Sequence, residues 1–151
     1  MSKKLQIQQL DAGIKEIASL QKVSVLETGW IKSIRTAIGM SLVQLANRLG
    51  VSKQNVLAIE NREKEGTLSL KTLRDLARAM DMKLVYGFIP TDGSLEALID
   101  RKANEAATKI VMRTSASMKL EGQENNEQRI QKAIAERADE LKKELSKVLW
   151  D

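Results

Sequence analysis

A chain of 151 residues that contains no cysteine and no histidine cannot form disulfides, thiolate or imidazole metal sites, or nucleophile pairs that need Cys or His. Its 42% hydrophobic and 30% charged residues, with a single proline, are typical of a soluble and mainly α-helical protein. The net charge of +5 suits a polyanionic partner but does not require one. We therefore expect no catalytic residue, no metal site and no cofactor, and a protein that is not an enzyme.

The first residues, MSKKLQIQQLDAG, carry amide and charged side chains where a secretory signal needs an apolar run. No stretch reaches the roughly 18 consecutive apolar residues of a membrane-spanning helix. We expect a cytoplasmic protein that makes no contact with a membrane.

Apolar residues recur at mostly helical spacing in the N-terminal region, residues 1–28, which predicts one amphipathic helix there. These residues are Leu5, Leu10, Ile14, Ile17 and Leu20. A second helix is predicted over residues 29–38, with Thr28 as its cap. The apolar face of the first helix needs a partner, and the sequence does not indicate which part of the chain supplies it.

Two short helices joined by a tight turn are predicted in the segment LVQLANRLGVSKQNVLAIEN, residues 42–61. Ser41 and Ser52 stand where helix caps are expected, and Gly50 stands where the turn needs a positive φ. The small Ala46 falls where the two helices must cross closely. A plain helical hairpin with a glycine turn would share part of this pattern.

The chain continues with a predicted helix over residues 69–80 and then KLVYGFIP, residues 83–90, whose β-prone residues predict one short strand that pairs across a dimer. Residues 29–90 are therefore predicted to form one domain. In the C-terminal region, residues 91–151, we expect a helix over 94–121, broken near 114–117, and a final helix over 126–150. The expected fold class is all-α in the main, with the C-terminal helices holding a dimer or a protein partner.

The order of small, apolar and glycine positions over about residues 29–82 resembles the helix-turn-helix of the Xre and Cro family of phage and bacterial regulators. The resemblance implies a DNA-binding transcription regulator whose recognition helix, residues 53–62, enters the major groove. Lys53, Gln54 and Asn55 would then face base edges, and Ala58, one turn later, could meet a thymine methyl group.

The same resemblance implies phosphate contacts from backbone N–H groups at the helix starts after Ser41 and Ser52, with help from Arg62. Further candidates for that help are Arg48, Lys64 and Lys71. Family members often carry a polar residue just after the first cap, whereas this chain has Leu42, and this departure weakens that one contact.

Arg35 and Glu60 match family positions whose side chains pair between the first helix and the end of the recognition helix. We assign this pair to structure, because breaking a buried ion pair is costly. One such domain reads only a half-site, so the resemblance also implies a homodimer on a palindromic operator in double-stranded DNA.

A second motif lies between the C-terminal helices, in SMKLEG, residues 117–122. It resembles the inhibitory motif of antitoxins that restrain Fic-domain enzymes, with Ser117, Glu121 and Gly122 at the matching positions. In that family the glutamate pairs with an arginine that would otherwise bind the γ-phosphate of ATP, and a carboxylate can replace a phosphate in this way.

Most of the chain also resembles a family of mobile-element proteins called mobile mystery protein A, in its GWIKSIR, EGTLSLKTLR, KLVYGFIP and MKLEGQ segments. That family occurs beside a Fic-domain partner. The two resemblances together imply an antitoxin and autorepressor that binds and inhibits a Fic-domain AMP transferase toxin. The alternative is a dimeric repressor with no toxin partner, in which Glu121 is a solvated helix residue and Gly122 a helix end.

Overall fold

The computed structural model describes residues 2–23, 26–120 and 127–151. Within these ranges the regular elements are all helices, which confirms the mainly α-helical prediction. They are α1 (Lys3–Ile17), a 3-10 helix (Ala18–Lys22), α2 (Trp30–Ala37), α3 (Leu42–Leu49), α4 (Lys53–Glu65), α5 (Leu70–Ala79), α6 (Leu95–Leu120), α7 (Glu127–Glu144) and a second 3-10 helix (Lys147–Trp150).

The chain forms two compact units, which we call the head and the tail unit. The head is Gln21–Gly87, and the tail unit combines Met1–Leu20 with Phe88–Asp151. The N-terminal helix therefore belongs with the C-terminal helices, a question that its amphipathic sequence left open.

The head is built around a core to which helices α2 to α5 all contribute. Leu45, Val56 and Leu76 are its largest fully buried side chains. The other buried members of this core are Ile31, Ala46, Ile59 and Met80. Ala46 is buried on α3, the helix that packs on both α4 and α5, as its small size predicts. Burial of these apolar side chains is what holds the four short helices together.

The tail unit is held together mainly by α6 packed along α7. Small residues at four-residue spacing on α6, Ala103 and Ala107, are fully or almost fully buried there and let the two helices approach closely. The Lys142 ammonium lies 2.6 Å from the Asp100 carboxylate, and this hydrogen bond raises the pKa of Lys142. On α1, the partly buried Ile7 packs against the same core.

A carboxylate from α1 fixes the start of α6. The Asp11 side chain accepts hydrogen bonds from the backbone N–H groups of Leu95, at 2.7 Å, and Glu96, at 3.2 Å. The Ser94 hydroxyl accepts a further bond from Ala97 N–H at 3.0 Å and so caps the same helix start. These contacts satisfy N–H groups that have no partner within the helix, and the bonds from Asp11 hold α1 against the start of α6.

Three details of the predicted elements were wrong. Residues 83–90 form no strand, because the described chain offers no second strand to pair with them. Helix α6 runs unbroken through residues 114–117. Helix α7 ends at Glu144 rather than near 150, since Leu145 takes a positive φ of 47° and Leu149 then packs into the tail core. None of the described helices is long and apolar enough to span a membrane.

Candidate nucleic-acid interface

Both helices of the predicted turn motif begin at a serine cap. The Ser52 hydroxyl accepts from Asn55 N–H at 3.1 Å, and the Ser41 hydroxyl accepts from Gln44 N–H at 3.1 Å. The Gln44 side chain returns a bond by accepting from Ser41 N–H at 2.8 Å, which completes a capping box. The structure thus confirms both predicted caps and fixes the first turns of α3 and α4.

The turn between α3 and α4 has the conformation that Gly50 predicted. Gly50 ends α3 in the left-handed conformation, with φ of 71°, and its N–H bonds back to the carbonyl groups of the last turn. Val51 N–H then donates to the Ala46 carbonyl at 3.0 Å. Because L side chains rarely adopt this φ, glycine is required here.

Helix α4 presents one buried and one exposed face. Val56, Ile59 and Glu60 are buried, whereas the predicted base-reading residues are all exposed. These base-reading residues are Lys53, Gln54, Asn55 and Ala58, and Arg62, which is predicted to contact phosphate, is exposed as well. Gln and Asn amides can pair bidentately with adenine, and Lys can donate to guanine O6 and N7. The first turn of α4 therefore offers hydrogen-bonding groups suited to base edges in a groove.

Leu57 and Asn61 also lie on the exposed side of α4, and neither was predicted from the sequence to contact DNA. Leu57 and Asn61 are three and seven residues after Gln54, a spacing that places them on neighbouring parts of the helix surface. That spacing was the signal that could have found them.

A buried ion pair joins α2 to α4, as predicted. Arg35 Nε lies 2.6 Å from Glu60 Oε1, and a second guanidinium nitrogen donates to Glu60 Oε2 at 3.4 Å. Arg35 also donates to the Met40 carbonyl at 3.0 Å. Both charged side chains are almost completely buried, so each depends on the other for its partner.

A second set of hydrogen bonds between α2 and α4 was not predicted. The Glu63 carboxylate accepts from the backbone N–H groups of Trp30, at 3.0 Å, and Ile31, at 2.8 Å. It therefore caps α2 in place of Thr28, whose hydroxyl instead bonds to Ser33. Gly29 has φ of 81°, and a Cβ there would lie 2.5 Å from Glu63 Oε1. Glu63 and Glu60 together hold α4 against both ends of α2.

Comparison with protein families identifies this arrangement. Residues 31–86 match the model of a family described as helix-turn-helix. These residues form a helix-turn-helix domain of the Xre/Cro type. The match assigns the chain a DNA-binding role in transcription regulation. Searches of curated proteins and of solved structures found no significant match.

The surplus of positive charge lies with the helix-turn-helix domain. The head contains 11 Lys and Arg residues and 6 Asp and Glu residues, whereas the rest of the chain contains 14 of each. The net charge of +5 therefore belongs entirely to the head. This distribution is what contact with a phosphate backbone requires, since that contact dominates the affinity of proteins for DNA.

The basic side chains considered for phosphate contact differ in their surroundings. Arg48 donates to the Ala79 carbonyl at 3.0 Å and to Asp81 at 3.2 Å, so it is engaged within the head. Arg62, Lys64 and Lys71 are exposed, the first two near the end of α4 and the third at the start of α5.

The residues of the predicted toxin-inhibiting motif lie at the edge of what the structure describes. Ser117 is in the last turns of α6, and nothing is described of its side chain. Glu121 and Gly122 lie outside the described residues. Across the described ranges, no group of acidic residues is arranged to hold a metal ion.

Proposed function

We propose that the protein represses transcription by binding, as a homodimer, a palindromic operator near its own gene. The proposal is carried by the exposed first turn of α4, in which Lys53, Gln54 and Asn55 follow the Ser52 cap. Groups that read bases must be held in position, and the buried face of the helix supplies this rigidity. Phosphates are bound by the N–H groups at the starts of α3 and α4 and by Arg62.

The dimer follows from the size of the site. One recognition helix covers a half-site, so two copies related by a twofold axis are needed for a full operator. Val85 and Tyr86 of the head offer an apolar surface for the second copy, since both are more than half exposed. The Arg74 guanidinium lies 5.8 Å from the centre of the Tyr86 ring and stabilises this side chain.

Selection of bound duplexes from a random DNA library by the full chain tests this proposal. We expect enrichment of two inverted half-sites whose centres lie about one helical turn apart. Enrichment of a single half-site without a repeat would contradict the dimer. No enrichment over the starting library would contradict sequence-specific binding altogether.

We further propose that the tail unit binds and restrains a Fic-domain AMP transferase toxin, which makes the protein an antitoxin and autorepressor. Support comes from the resemblance of Ser117, Glu121 and Gly122 to the inhibitory motif, which begins in the last turns of α6 and continues into the segment before α7. The tail unit has no excess positive charge, so it has no electrostatic preference for DNA. Glu121 would occupy the place of a γ-phosphate on an arginine of the toxin.

Glu121→Gly is therefore expected to abolish inhibition while leaving DNA binding unchanged. The chain is co-expressed with the product of the adjacent gene, the complex is isolated, and ATP-dependent AMP transfer by that product is assayed. Glu127→Gly, in the exposed first turn of α7, is the matched control and should inhibit like the wild type. Inhibition that survives Glu121→Gly, or an adjacent product that neither binds nor transfers AMP, would leave the dimeric repressor without a toxin partner.

A further inference from the structure

One apolar side chain stands apart on the outer surface of α4. Leu57 is 47% exposed, whereas Val56 and Ile59 on the same helix are buried in the head core. Apart from these two, Leu57 is the one large apolar side chain between Lys53 and Glu65. The packing of the head does not account for a branched apolar residue at this position.

The neighbours of Leu57 on the helix surface are polar. Lys53, Gln54 and Asn61 are four residues before, three before and four after it, and all three are exposed. An apolar side chain surrounded by hydrogen-bonding groups is complementary to a surface that carries a methyl group next to hydrogen-bond donors and acceptors. The major-groove edge of an A·T pair has this composition, with the thymine C5-methyl group beside N7, N6 and O4.

We propose that Leu57 packs against a thymine methyl group in the major groove and so selects thymine at one position of each half-site. This inference rests on the proposed reading of DNA by α4. Leu57 lies about 6 Å farther along the helix axis than Lys53, or roughly one helical turn. Its thymine therefore lies near the bases read by the first turn. Ala58 is also exposed but offers only one methyl group, so Leu57 provides the larger apolar contact.

The test removes each partner of this contact separately. A duplex enriched from the random library by the wild-type chain is prepared with each thymine in turn replaced by deoxyuridine, which lacks only the methyl group. Affinities of the wild type, Leu57→Ala and Leu57→Met are measured on every duplex. Leu10→Ala is the matched control, because Leu10 is 52% exposed on α1 in the other unit.

At one thymine of each half-site, loss of the methyl group should weaken wild-type binding about fivefold. Leu57→Ala should bind the thymine duplex about as weakly as the wild type binds the uracil duplex. Because the variant has already lost the contact, replacing thymine by deoxyuridine should lower its affinity by less than about twofold. Leu57→Met and Leu10→Ala should keep the wild-type sensitivity.

Three results would overturn the inference: no thymine that shows this coupling, an equal loss by Leu57→Ala on both duplexes, or normal DNA binding by Leu57→Ala with loss of a protein partner. Failure of the wild type to enrich any sequence would instead refute the proposed function itself.

Discussion

Arg35→Ala is expected to lower the free energy of unfolding of the head by about 3–5 kcal/mol. The substitution leaves Glu60, which is only 3% exposed, as a buried charge with no guanidinium beside it. It also removes the donor to the Met40 carbonyl. Denaturant unfolding of the full chain, followed by Trp30 fluorescence in a Trp150→Phe background, measures the change.

Two variants separate the buried pair from a general effect of lost arginine. Arg78→Ala removes a side chain that is 77% exposed on α5 and should change stability by less than about 1 kcal/mol. Replacing both partners, with Arg35→Met and Glu60→Leu, should recover most of the stability that Arg35→Ala loses, because no unpaired charge remains buried. A small effect of Arg35→Ala, or a double variant no more stable than the single one, would contradict this account of how α2 holds α4.

Replacing Gln54 and Asn55 together by alanine is expected to weaken binding to the selected duplex by about 30-fold or more. Each good bidentate amide contact to a base contributes about 1–3 kcal/mol of discrimination. Both side chains are exposed and alanine favours helix, so the fold of the head should be unaffected. Titration of labelled duplexes with the variant and the wild type measures the change.

The same titration on a scrambled duplex of equal composition decides what has been lost. If Gln54 and Asn55 read bases, the variant loses affinity mainly for the selected duplex, and its preference over the scrambled one falls. Gln8→Ala with Gln9→Ala, on the exposed side of α1, removes two amides from the tail unit and should change neither affinity. An equal loss on selected and scrambled DNA would contradict base reading by these residues.

The local features of the head were predictable because short-range physics sets them. A serine three residues before an unpaired N–H group and a glycine at a positive φ determine the starts of α3 and α4 and the turn between them. The Arg35 and Glu60 pair was predicted only through the family resemblance, since 25 residues separate the partners in sequence.

Contacts without a local signature were missed. The cap of α2 comes from Glu63, which is more than 30 residues away in sequence. The sequence instead predicted Thr28 as the cap, because it stands just before the helix. Only the lack of a side chain at Gly29 hinted that the cap would come from elsewhere. Asp11 likewise reaches the start of α6 across 84 residues of sequence, so the partner of the N-terminal helix could not be read from its pattern.

In another region the sequence predicted an element that the structure does not contain. Residues 83–90 have the composition of a strand, but strand formation depends on a pairing partner as much as on propensity. The described chain supplies none. Similarly, the last helix was predicted to extend to residue 150, yet burial of Leu149 is achieved by a turn after Glu144. Packing of Leu149 into the tail core therefore decided where the last helix ends.

The central claim is that the exposed face of α4 is the surface that contacts DNA. The most direct measurement is titration of the ¹⁵N-labelled full chain with the selected duplex, following backbone amide resonances. The account predicts the largest changes at residues 53–62 and at the start of α3, with little change along α6 and α7. Changes centred on α6 and α7, with residues 53–62 unaffected, would contradict it.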